Sequence, residues 1–162
     1  MSHNGVIAMK YMGTMLAVTD MEKSKSFYRD VLRLKVTSDT GINVTLNGAV
    51  ALQTLDTWTK FTRSNYVMFD NHAVELYFET AEFDSIVRGL DSYGAEYLHE
   101  PMVRVWGQRF VRFYDPDKHI IEVAEAIEIV VRRFAAEGMT EEQIAERMKL
   151  DIDFIRRCLN ED

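Results

Sequence analysis

The chain has 162 residues, 47% of them hydrophobic, enough to bury a core in one compact domain or two small half-domains. A formal charge of −7 is the wrong sign for a surface that tracks phosphates, so nucleic acid is excluded as an expected partner. The single cysteine, Cys158, permits no internal disulfide framework, and no N-terminal apolar run resembles a signal peptide or membrane span, so a cytoplasmic protein with no membrane partner is expected.

In chain order, Met15–Val18 reads as a strand. Thr19 and Asp20 then offer an N-cap, with Glu22 spaced from Thr19 for a capping box. Phe27, Tyr28, Val31 and Leu32 follow at three- and four-residue spacing, the apolar stripe of a helix that packs on a sheet. Strands are predicted near Leu34–Thr37, Ile42–Leu46 and Ala49–Leu55, the last two joined by Asn47-Gly48, a strong two-residue hairpin signal. This is a βαβββ pattern. Residues 56–73, with Trp58 and Arg63, read as a connector.

The pattern then recurs. Val74–Phe78 opens a second copy, Thr80 can cap a helix that turns Phe83, Ile86, Val87 and Leu90 inward, and Gly94 stands where a left-handed C-cap is expected. Ala95–Leu98, Arg104–Tyr114 and His119–Ala124 supply three more strands. After Glu125 the period becomes helical, with Ile127, Val130, Val131 and Phe134 on one stripe. Gly138 breaks it, and Thr140-Glu-Glu-Gln143 restarts it with a capping box ahead of Ile144, Met148, Phe154, Ile155 and Leu159. Residues 125–162 hold ten acids and six Lys/Arg, so the tail is expected to be a packing or dimerisation appendage rather than a DNA reader.

The most informative stretch runs from Trp106 to Glu125. Asp115-Pro116-Asp117-Lys118 is turn chemistry, and a turn centred near residue 117 puts Arg112 and Glu122 opposite each other on one sheet face. Asp115-Pro-Asp117 followed by Glu122, together with the opening Thr14–Leu32 strand and helix, resembles the vicinal oxygen chelate superfamily of glyoxalase I, bleomycin-resistance proteins, fosfomycin-resistance enzymes and extradiol dioxygenases. The resemblance covers about residues 10–125, with modules at about 10–56 and 72–125, and leaves 126–162 as a C-terminal helical extension. It implies an α+β fold in which paired βαβββ modules form a curved mixed sheet around a cavity, plus C-terminal helices, and it implies a homodimer. It does not fix a reaction, since one fold hosts many.

Metal-dependent members of the resembled superfamily place His, Glu or Gln on the first and last strand of each module. Here those positions fall on Gly13, on Leu52 or Gln53, on Glu75 and on Glu122. Two carboxylates and one amide are a poor set for zinc or nickel, which favours histidine and at least three protein ligands. By strand alternation His72 and His119 face away from the glutamates, and His99 is expected at a strand end. No metal cofactor is therefore expected, and a divalent ion at Glu75 and Glu122 is the minority alternative.

Without a metal, Glu122 needs another partner. Arg112 is placed to form a bidentate pair with it, either as self-neutralising structure or as an anchor for a ligand oxygen. Glu75 either joins this site or faces water at a sheet edge. Alternation adds Gln108, Phe110, Tyr114 and, if Gly107 does not bend the strand, Trp106 to the same face, as core or as ligand walls. Trp58 in the connector reads as a lid or rim. The expected function is binding of an organic small molecule in the sheet cavity, with no catalytic residue assigned. The alternatives are a metal-dependent lyase or dioxygenase with rearranged ligands, and a dimerisation module whose cavity is filled by its own side chains.

Overall fold

The structure, a computed structural model, describes residues 9–47 and 49–160. The chain divides into two compact units, Met1–Val67 and Met68–Asp162. The first contains β1 (Thr14–Val18), α1 (Met21–Asp30), β2 (Val36–Asp39), β3 (Asn43–Leu46), β4 (Val50–Thr54) and α2 (Leu55–Thr62). Its sheet has the order β1-β4-β3-β2, with β1 and β4 parallel and the other pairs antiparallel. Asp20, not Thr19, caps α1 by accepting from the Lys23 amide at 3.0 Å. Phe27 and Tyr28 are buried on its inner face. Gly13 is needed for more than an empty ligand slot. Its φ is +145°, and a Cβ there would lie 2.2 Å from the Ala49 carbonyl oxygen. Gly48 of the expected Asn47-Gly48 turn lies outside the described residues, while Asn47 has the left-handed φ of 46° that such a turn uses. The stretch read as a plain connector starts with α2, a correction to the expectation.

The second unit repeats the module with β5 (Glu75–Thr80), α3 (Phe83–Tyr93), β6 (Tyr97–Val103), β7 (Arg109–Tyr114) and β8 (Ile120–Glu125), in the order β5-β8-β7-β6. Only β5 and β8 are parallel. Leu76, Ile121, Val123, Val111 and Phe113 are buried on the face that carries α3, whose Phe83, Ile86 and Leu90 point inward. Gly94 ends α3 in the left-handed region, as expected. Thr80 does not cap this helix; Glu82 holds that position and its amide donates to the Thr80 hydroxyl at 3.0 Å. The Asp115 carboxylate organises the turn before β8, accepting from the amides of Asp117 and His119 at 2.9 Å each. The resulting register pairs Arg112 with Glu122, as the sequence predicts. The β6 strand differs from expectation. It runs through Pro101, which is tolerated because β6 ends the sheet and its register skips between His99 and Met102. Residues 104–108 therefore form a loop rather than the start of a long strand.

Three helices follow rather than two: α4 (Ile127–Ala136), α5 (Glu141–Met148) and α6 (Ile152–Asn160). The Thr140/Gln143 capping box forms as predicted. The unforeseen break is at Lys149, whose φ of 56° ends α5. Val130, Val131, Phe134, Ile144, Met148, Ile155 and Cys158 build a core of their own, with Trp106 packed against it. Two devices tie this core to the sheet. Glu125, 1% exposed, accepts from Arg109 of β7 at 3.1 Å and from Arg133 of α4 at 3.0 Å. Gly107, at a φ of +91°, lies so close to Phe134 that a Cβ would come within 2.2 Å of the ring, and its carbonyl accepts from Arg133 at 2.7 Å.

Gly107→Ala is therefore expected to cost about 2–4 kcal/mol, combining a disfavoured φ with overpacking against a buried ring. Gly94→Ala, where nothing lies within 4 Å, should cost less, from φ alone. Denaturant midpoints at constant m-value measure both; equal costs would mean that Phe134 yields to the added methyl.

Burial pushes the Glu125 carboxyl up, but Arg109 and Arg133 outweigh it and hold the group below the usual carboxylate range. A carboxyl depressed in the folded state contributes its stability above the unfolded value, about pH 4.3 for Glu, and loses it as pH falls through the folded value. The stability gap between wild type and Glu125→Gln is expected to be widest near neutrality and to close in acid. A gap independent of pH would show that charge is not what Glu125 contributes.

Candidate functional site

Partners in register share a sheet face, so the pairing of the second sheet writes out its face opposite α3 as three rows. The first is Glu75, Ile120 and Tyr114; the second is Tyr77, Glu122, Arg112 and His99; the third is Glu79, Ala124, Phe110 and Met102. The middle row crosses all four strands with polar side chains.

Glu122 is 1% exposed and faces two guanidinium groups. Arg104, from the loop before β7, donates to its Oε1. Arg112 Nη2 lies 2.7 Å from its Oε2, an ionic contact without hydrogen-bond alignment, so Oε2 has no hydrogen-bond partner among the described residues. The bidentate hydrogen bonds of Arg112 go instead to Glu75, Nε to Oε2 at 2.8 Å and Nη2 to Oε1 at 3.3 Å. This corrects the expectation of a bidentate Arg112–Glu122 pair: proximity holds, but Arg112 is shared between two carboxylates and Glu122 between two arginines. Phe110 lies under both cations, 4.5 Å from Arg104 and 5.7 Å from Arg112. Beside them Tyr77 donates to Glu79, and burial, then this contact, pushes its phenol up.

His99 is not at a strand end. It sits within β6 opposite Arg112, its ring edge-on to Phe110 at 5.1 Å. Its Nδ1 contacts the Glu100 carbonyl at 2.8 Å, and its buried Nε2 has no partner among the described residues. His72 also departs from expectation. At a φ of 53° it precedes β5, outside the alternation, and its Nε2 meets the Tyr114 hydroxyl at 2.6 Å and Asp70 at 2.9 Å. His119 is taken by the turn acid Asp115 at 2.8 Å.

These placements decide how a metal would fare. Among the described residues no group of three or more His, Cys, Asp or Glu stands close enough to hold one. His99 and Glu122 are two strands apart, roughly 10 Å at the usual strand spacing, with the Arg112 cation between them. A guanidinium bound to both carboxylates repels a divalent ion where a ligand set would need to converge. The residues present do not fit a transition metal.

Beyond this face, the Arg104–Gln108 loop and the C-terminal helices bound a cleft of about 600 Å³. Tyr77, Arg104, Trp106 and Gln108 form one side, and Ile127 with Arg147, Met148, Lys149 and Leu150 the other. Gln108 is fastened there by its bond to the Glu125 carbonyl at 2.9 Å, and it accepts from the Trp106 indole at 3.2 Å.

Of the residues singled out in the sequence, Glu75, Glu122, Arg112, Phe110 and Tyr114 come together on one face, with Gln108 and Trp106 in the adjoining loop. Gln53 and Trp58 belong to the first unit. Gln53 is 4% exposed, and both its Nε2 and the Oδ1 of its cross-strand neighbour Asn43 lack partners among the described residues. Trp58 is half-buried on α2. Arg104, His99, Tyr77 and the helical side of the cleft were missed. Arg104 precedes Trp106 by two residues, a spacing that could have placed both at one rim had the loop been recognised.

The chain matches the family model described as a glyoxalase-like domain over residues 11–128, which leaves α5 and α6 outside the match. No curated protein compared with the chain matches it. A protein of unknown function from Agrobacterium tumefaciens has a similar solved structure, with 33% identity and a TM-score of 0.66 over 74% of this chain and 96% of its own. A glyoxalase-related enzyme from Fulvimarina pelagi is 17% identical, with a TM-score of 0.63 over 73% of this chain and 88% of its own. A glyoxalase/bleomycin resistance protein/dioxygenase from Nocardioides is 20% identical, with a TM-score of 0.59 over 74% and 85%. The last two share the fold alone. With two βαβββ modules, the closing Asp115–Glu122 hairpin and a family match over most of its length, the chain belongs to the glyoxalase-like domain family of the vicinal oxygen chelate superfamily.

Proposed function

We propose that the second unit binds an organic small molecule on the Tyr77–Glu122–Arg112–His99 row, with Arg112 and Glu122 as its polar anchor and no metal between them. The observation that supports this best is that two of the buried atoms without hydrogen bonds among the described residues, Glu122 Oε2 and His99 Nε2, lie on this one row. A buried polar atom left dry costs about 1–3 kcal/mol, a penalty that His99 Nε2 bears and that the Arg112 charge relieves in part at Glu122 Oε2. A ligand carrying a donor toward Glu122 and a polar atom toward His99 would satisfy both. Phe110, Tyr77 and Tyr114 supply aromatic surface beside these anchors. Sequestration or sensing fits better than turnover, because the carboxylates that would serve as bases are already held by arginines.

A metal-dependent lyase or dioxygenase remains the rival within the family. Elemental analysis of protein purified without chelator is expected to find no stoichiometric transition metal. About one zinc, nickel, manganese or iron ion per chain would overturn the metal-free reading.

Glu122→Leu alone leaves Arg104 and Arg112 facing each other without their acid. It is expected to cost about 2–4 kcal/mol, less than a fully buried pair would, because both arginines reach water. Adding Arg112→Met should recover part of this loss. A ligand found by screening wild type should lose its affinity in the folded double variant. Unchanged affinity there would reduce the pair to structure.

A further inference from the structure

The cleft beside the Glu122 row runs against the charge of the whole chain. In a protein of formal charge −7, its lining holds three cations, Arg104, Arg147 and Lys149, and no carboxylate. Arg104 is already neutralised by Glu122. Arg147 and Lys149 are exposed, and neither makes an ion pair among the described residues. Arg147 lies 4.3 Å from the Phe134 ring, which props its guanidinium at the rim. Lys149 stands where the left-handed residue ends α5, so the helix break itself sets this second cation at the mouth. Glu146, next to Arg147 in sequence, does not line the cleft; it lines an adjoining depression with Met139 and Gln143, and Arg147 and Lys149 stand between the two, lining both. Between the cations, Trp106, Met148, Leu150 and Ile127 offer apolar wall.

We infer that this cleft takes an organic anion with a flat apolar body, its carboxylate or sulfonate at Arg147 and Lys149 and its rings against Trp106 and Met148. The inference rests on the proposed small-molecule binding and deepens it, since Tyr77 belongs to both the row and the cleft, and Arg104 of the cleft is paired to Glu122 of the row. A volume of about 600 Å³ is of the size that holds such a molecule. Apart from Glu146 beside the rim, acids farther off oppose an anion only weakly, because charge is screened over about 8 Å at physiological salt, whereas the rim cations are in contact range. The family match ends at residue 128, so this selectivity is a property of the extension and not of the shared fold.

The test is a titration of the full chain with two fluorescent dyes of one ring system, 8-anilinonaphthalene-1-sulfonate and the uncharged N-phenyl-1-naphthylamine. The sulfonate is expected to bind one saturable site per chain about tenfold tighter than the neutral dye at low salt, the gap narrowing as salt is added. Arg147→Gln combined with Lys149→Asn, the latter compatible with a left-handed φ, should abolish the gap and leave the neutral dye's affinity as it was. Arg147→Lys, which keeps the charge and much of the packing, should keep most of it. Equal affinity for both dyes in wild type, or a gap that survives the double variant, overturns the anion inference and leaves small-molecule binding standing. Binding of neither dye also overturns it, and the row is then judged by the Arg112/Glu122 screen alone.

Discussion

The ladder between β7 and β8 is the constraint on which the second unit depends. Its register is set at one end by Asp115, whose carboxylate gathers two amides of the turn, and it runs without interruption from Tyr114–Ile120 to Phe110–Ala124. A slip of one residue would turn Glu122 toward α3 and bring Val123 into the polar row. The placement of Arg112 against Glu122 is inherited from that turn.

The two glutamates of β8, three residues apart, point to opposite faces, and each is held by two arginines. Glu122 meets Arg104 and Arg112, while Glu125 meets Arg109 and Arg133. A buried carboxylate is stable only when its charge is matched, and here the matching also assembles tertiary structure. The Glu125 side fastens α4 to the sheet, and Arg109 reaches on to Asp84 of α3 at 2.8 Å. The Glu122 side leaves one oxygen without a hydrogen bond among the described residues. Of the two carboxylates, Glu125 has both oxygens hydrogen-bonded, although Arg109 Nε and Arg133 Nε beside it lack partners among the described residues, whereas Glu122 has one oxygen free to accept, which is why the first is read as framework and the second as the proposed site.

The Arg112–Glu122 pairing was legible in the sequence because turn chemistry and residue parity are enough where a ladder is unbroken. Arg104 was not, because Pro101 and two register irregularities break β6, and counting across a broken ladder fails. His72 was misassigned for a related reason, since one left-handed residue before β5 removes it from the alternation. The α2 helix was hidden by its threonines, residues of poor helix propensity. Thr59 and Thr62 satisfy their hydroxyls on the carbonyls of Asp56 and Trp58. The break at Lys149 carries no Gly or Pro to announce it. Without that break the cleft has no second side, so its existence depends on packing that periodicity cannot express.

The irregular pairing of β6 has a counterpart in the first unit, where the β2–β3 ladder shifts between Val36 and Ser38. Both are the second strand of their module and both end their sheet. A flat end strand offers an open row of amides and carbonyls on which another chain can crystallise as an added strand, the first step toward aggregates. A proline within one such strand and a register shift in each make these borders poor templates, so the same distortions that obscured Arg104 from the sequence also help to keep concentrated chains from stacking edge to edge.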